Sequence, residues 1–111
     1  MDYLILEKQI KECYKSFSGF SWPVSDCIRL LENFMITYNK YRGHLHKPIS
    51  NKDMKYILSA LQSYDIAYYN DIIELYFESD FNHYSIYHFI SRGVRWNLNE
   101  QKKRGKRKHG K

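Results

Sequence analysis

Apolar side chains recur along this chain at intervals of three and four, the period of a helix with one buried face. Leu6, Ile10, Cys13 and Phe17 repeat in this way, with Glu7, Lys8, Lys11, Glu12 and Lys15 between them, and predict a first helix over about 2–16. The run SFSGFSWP that follows is a loop by its Ser, Gly and Pro content, with Phe17, Phe20 and Trp22 packing back on the core. An exposed, base-stacking Trp22 is the less common alternative, because Trp is ordinarily well buried. From Pro23–Asp26 to Arg42, a wide stripe of Cys27, Leu30, Leu31, Phe34, Met35, Tyr38 and Tyr41 predicts the central core helix. Proline suits its first turn, and Ser25 or Ser21 is placed to cap it.

Gly43 stands just past that stripe, where a helix wants a left-handed residue. Ser50 precedes Asp53 by three, close to a capping box, and Ile49 and Met54 have the spacing of a hydrophobic staple. These signals start a third helix at Asn51 that runs to about Gln62 and buries Met54, Ile57, Leu58 and Leu61. After a break at 63–65, Ile66, Tyr69, Ile72, Ile73, Tyr76 and Phe77 predict a fourth helix whose other face carries Asp71, Glu74 and Glu78. SDFNHY at 79–84 is a turn. A fifth helix begins at Ser85 and buries Ile86, Phe89, Ile90 and Val94, with Gly93 as a kink or early stop. No stretch alternates with period two. The expected fold is mainly α: one domain over 1–101, a bundle of about five helices of helix–turn–helix or winged-helix character. A small β-wing is allowed at 43–50 or 79–85, and a disordered basic tail is expected over 102–111.

Charge changes this picture by its location. The chain of 111 residues carries +6 net, yet seven of its 18 Lys and Arg lie in KKRGKRKHGK at 102–111. The remaining 11 face 12 acids, so the body is nearly neutral and the basicity is a tail that attracts phosphate without regard to sequence. Within the body, Lys40 to Lys55 holds five basic residues, two histidines and one acid, whereas 56–91 holds five acids and no Lys or Arg. No apolar run approaches the roughly 20 residues that span a bilayer. Cys13 and Cys27 fall on apolar helical positions, as reduced core residues of a cytoplasmic protein do.

Candidate chemistry is sparse. His44-x-His46, with His83 and His88, lacks any standard zinc spacing, and the cysteines form no C-x-x-C pair. Asp71, Glu74 and Glu78 follow one helix face, as a solvated face does, and a two-metal centre draws its carboxylates from separate elements. There is no phosphate-binding glycine loop, nucleophile elbow or legible triad. No cofactor is expected, and catalysis by this chain alone is not. A metal-dependent nuclease or primase is the least favoured reading. Basic and aromatic residues do interleave, which suits single-strand binding: phosphates are held by Lys and Arg while bases stack on rings. The candidates are Tyr41, Arg42, His44, His46, Lys47, Lys52 and Lys55, then Arg92, Arg95 and Trp96, then Lys102, Lys103, Arg104, Lys106, Arg107 and Lys108 in the tail. Asp71, Glu74 and Glu78 are the candidate face for a protein partner.

The spacing Phe34-x3-Tyr38, Ile49-Ser50, Tyr76-Phe77 and Tyr84-Ser85-Ile86-x2-Phe89, over residues 34–90, resembles small basic proteins of DNA-replication modules in Gram-positive phages and mobile cassettes. The resemblance implies a helicase-loader-like or primase-companion-like accessory protein that binds DNA, single-stranded by preference, beside a larger replication enzyme. In a primase pairing the catalytic carboxylates belong to that larger partner. The other reading is a protein-interaction module, an inhibitor or adaptor of a host replication protein with no nucleic-acid site of its own.

Overall fold

The computed structural model describes residues 3–16 and 19–100. Phe17 and the tail cations Lys102 to Lys108 lie outside the described residues. Among the described residues five helices form: α1, Tyr3–Ser16; α2, Val24–Arg42; α3, Asn51–Ala60, extended by a 3₁₀ turn at Leu61–Ser63; α4, Ile66–Glu78; and α5, over 86–100. The last begins as an α turn at Ile86–His88, widens to a π turn at Phe89–Gly93, and returns to α geometry over 94–100.

The apolar stripes meet as their periods require. α2 lies between α1 and α4, α1 reaches across to α3, and α3 touches α5. Leu6 and Ile10, then Leu30, Leu31 and Phe34, then Met54, Ile57 and Leu58 are shut off completely from solvent. Each such side chain contributes roughly 1.5–3 kcal/mol by leaving water. Tyr69, Ile72, Ile73, Tyr76 and Phe77 close the core from α4, and Ile86, Phe89, Ile90 and Val94 from α5.

Caps explain most boundaries. Gly43 is left-handed (φ 76°) and its N–H donates to the Asn39 carbonyl at 2.9 Å, which ends α2. Ser50 Oγ accepts from Asp53 N at 3.1 Å, and Ile49 and Met54 are both buried as the staple requires. Asp65 Oδ1 accepts from Ala67 N, and Ser85 Oγ from His88 N, each at 3.0 Å. Gln9 on α1 donates to the Ile49 carbonyl at 2.7 Å, tying the chain just ahead of α3 to the bundle. Trp22 is half-buried, its indole N–H donating to the Leu61 carbonyl at 2.8 Å, so it is a packing residue.

Three local expectations are corrected. Neither Ser21 nor Ser25 caps α2; Pro23 occupies the cap position, and its carbonyl accepts from Asp26 N and Cys27 N. Ser21 is instead held by Gln62, whose Oε1 accepts the Ser21 N–H. The third helix tightens to 3₁₀ after Ala60 instead of continuing to Gln62 as α. Gly93 neither stops nor isolates the final turn: the helix runs through it, with Val94 N–H bonded to the Phe89 carbonyl in the i→i−5 pattern. The segments 43–50 and 79–85 form no strand, and no β-wing exists among the described residues.

Candidate nucleic-acid interface

Two concave surfaces gather the basic and aromatic residues, and the first lies along α5. In a helix of 3.6 residues per turn, each four-residue step overshoots by about 40°. Tyr87, Ser91, Arg95 and Asn99 would therefore fan out over about 120° on a regular helix. The π turn inserts one extra residue, worth about 100° of rotation, and cancels most of that drift. These four residues accordingly line one groove of about 740 Å³, with His88, Arg92 and Trp96 beside them and Phe81 from the preceding loop. Trp96 meets the edge of Phe81 at 5.4 Å and remains 37% exposed; Tyr87 is 43% exposed and stands against Tyr56 of α3 at 4.9 Å. Arg92 and Arg95 are exposed, and no acid lines the groove.

The second concavity, about 410 Å³, forms where the 43–50 loop faces the 82–85 loop. Arg42 lies over the Tyr84 ring at 4.9 Å, a cation held in place by the ring's negative face. Tyr84 is itself pinned, its hydroxyl donating to the Ser79 carbonyl and accepting from Phe81 N. His44 packs edge-on against Tyr38, while Lys47, Asn82 and His83 complete an acid-free lining.

His46 has a different task. Its Nδ1 pairs with the Lys47 carbonyl at 2.6 Å, and its Nε2 accepts the N–H of Ile86 at 3.2 Å. Only a neutral ring with the proton on Nδ1 satisfies both contacts. The ring stands edge-on to Tyr38, and desolvation in this half-buried setting lowers its pKa against the opposing hydrogen bond to Lys47. His46 is thus a cap joining the loop to α5, with no ring nitrogen left for a ligand.

The remaining predicted residues are dispersed. Tyr41 stacks on Phe77 (5.6 Å, 10° between planes) and donates to Glu78 at 3.3 Å. Lys40 pairs with Glu74 at 3.7 Å, so the end of α2 meets the acidic face of α4 instead of standing apart from it. Asp71 is exposed farther along that face. Lys55 lies in a cleft with Gln9, Glu12 and Cys13 on the α1 side, and Lys52 is exposed on α3. Tyr87, Asn82 and His83 line the concavities although the sequence reading does not assign them to nucleic acid; the i, i+4, i+8 spacing of Tyr87, Ser91 and Arg95 is a signal that the π turn sharpens by narrowing their spread.

Reactive chemistry does not assemble among the described residues. No group of three or more His, Cys, Asp or Glu is placed to hold a metal. Both cysteines are free thiols; Cys27 is buried against the Tyr14 hydroxyl at 3.0 Å, and burial raises the pKa of each. A thiol kept protonated is a poor nucleophile. Among the described residues no helix is long and apolar enough to cross a membrane. Compared with protein-family models, curated proteins and solved structures, the chain matches none.

Proposed function

We propose that this protein binds single-stranded DNA as an accessory of a larger replication enzyme, with the α5 groove as its principal contact surface. The supporting observation is the acid-free groove that presents Arg92 and Arg95 beside the exposed rings of Trp96 and Tyr87. Exposed rings accept bases by stacking, and arginines hold the backbone between them. In this reading α2, the 43–50 loop and α3 form a helix–turn–helix-like unit whose loop supports the strand. Lys52 and the tail add sequence-independent attraction. Asp71 and the neighbouring acids of α4 face the partner enzyme, which supplies any catalytic carboxylates.

The experiment is fluorescence anisotropy with labelled single- and double-stranded oligonucleotides over a range of salt. Trp96→Ala is expected to weaken single-strand binding by about five- to 150-fold, from the ~1–3 kcal/mol that one stacked base contributes. Changing both Arg92 and Arg95 to Gln is expected to reduce the salt slope by about 1.4, at roughly 0.7 per phosphate contact on a single strand. Unchanged binding in both variants would sink the groove as the site.

A protein-interaction module is the second reading, and exposed Leu4, Ile5 and Ile36 favour it. Co-purification of a host protein, with no affinity for any oligonucleotide, is its expected signature.

A further inference from the structure

The loop pocket is built differently from the groove beside it, and the difference points to a different ligand group. The groove is long, open and aromatic. The pocket is smaller, and its polar nitrogen-bearing side chains come from two segments about 40 residues apart in sequence, with both full cations on the first. Arg42, His44 and Lys47 come from one wall, and Asn82 and His83 from the other. Among the described residues neither Arg42 nor Lys47 has a carboxylate within ion-pair distance, whereas Lys40, two residues before Arg42, is neutralised by Glu74. Arg42 is also pre-placed by Tyr84, so its fork loses little freedom on taking a ligand.

A phosphodiester inside a strand carries one negative charge, and one arginine answers it. A phosphomonoester carries about −1.5 to −2 at pH 7 and three strong acceptor oxygens. Several convergent donors with no acid among them match the second group better than the first. Position agrees with this. His83 and Tyr84 line the pocket while His88 and Phe81 line the groove, and the ring centroids meet at 5.9 Å (His83–His88) and 6.0 Å (Phe81–Tyr84). A ridge of paired rings, one facing each site, separates the two, so a strand lying in the groove can end over that ridge.

We infer that the loop pocket holds the terminal phosphomonoester of a DNA single strand, making this protein a reader of strand ends as well as a single-strand binder. Arg42 takes two phosphate oxygens through its fork, Lys47 and His83 approach the third from the pocket's sides, and Ile86 keeps His46 out of the way. The inference rests on the single-strand reading above.

The test uses full-length protein and three labelled oligonucleotides of one sequence, carrying a 5′-phosphate, a 3′-phosphate or hydroxyls at both ends. One phosphorylated end is expected to bind about tenfold or more tightly than the hydroxyl-ended strand, as added charge-assisted hydrogen bonds require. Arg42→Gln with Lys47→Gln is expected to bring that strand down to the hydroxyl level. Equal binding of all three strands by the unaltered protein overturns the pocket inference and leaves the groove reading intact. Binding of none overturns both. If a free deoxynucleoside monophosphate abolishes the end preference at the concentration at which the oligonucleotide itself competes, the pocket is a site for free phosphate esters and the strand-end assignment fails.

Discussion

Gly93 has no side chain, and the Tyr76 ring occupies the space that one would need. A Cβ at this position would fall 2.6 Å from Cδ1 of Tyr76 and 2.9 Å from its Cε1. Tyr76 cannot step aside easily, because the rings of Phe34, Phe77, Phe81, Tyr84 and Phe89 surround it at 5.1–6.1 Å between centroids. Its hydroxyl also accepts from Ser85 N and pairs with His88 Nδ1. Gly93→Ala is therefore expected to destabilise the fold by about 1–3 kcal/mol through overpacking. Urea unfolding measures this, and a gain in stability, the usual result of Gly→Ala at an unobstructed helical site, would contradict it. From sequence the same glycine reads as a kink or early stop, since glycine is a poor helix former. Its real constraint is a ring 17 residues away, and no local pattern encodes that. The apolar partners Ile86, Phe89, Ile90 and Val94 were legible because their burial needs only the helical period.

At the scale of elements, the 43–50 loop and α5 are joined by one titratable contact. His46 must be neutral to accept the Ile86 N–H, and a charged ring would set a donor and a positive charge against the start of a helix. Desolvation lowers the pKa of His46, and that of His88 as well, with His83 and Arg92 adding to the second case. The unfolded chain therefore takes up protons at these positions before the folded one does, so stability rises with pH. The contribution is complete above the ordinary histidine value of about 6.5 and is lost as pH falls through that value toward the lowered folded ones. Thermal unfolding is expected to show the midpoint falling between about pH 7.5 and pH 5.5, with His46→Gln flattening the slope to the part due to His88. A midpoint that rises on acidification across that window would refute the cap. The Glu7–Glu32 contact acts in the opposite sense at lower pH: desolvation and then Glu7 raise the Glu32 carboxyl, so its protonation favours the fold. The sequence offered His44 and His46 as equivalent basic-loop residues. Only the approach of the 82–85 loop makes one of them a cap and leaves the other at a pocket edge.

For the molecule as a whole, charge is divided between a near-neutral body and a tail with seven of the 18 cations. A chain truncated after residue 101 is expected to retain its preference for single strands while its salt slope falls by as much as roughly 5, at about 0.7 per phosphate contact. Anisotropy over a salt series measures both quantities, and loss of all binding with the tail would move the site out of the folded body. The sequence by itself determined the helical class, the order of the helices, the caps at Gly43 and Ser50 and nearly the whole core, because period, capping chemistry and apolar burial act over a few residues or one helix face. It also located the two basic-aromatic stretches. Only the tertiary structure decided how those stretches are used. Packing α2 on α4 brought Tyr41 and Lys40 to Glu78 and Glu74, which the sequence separates by more than 30 residues. Seating Gly93 on Tyr76 accompanied the π turn that aligns Tyr87, Arg95 and Trp96 along one groove. Whether a cation is neutralised by a carboxylate or left facing an acid-free cavity depends on distances between separate elements, and those distances are set by how the helices pack, not by the residues adjacent to it in the chain.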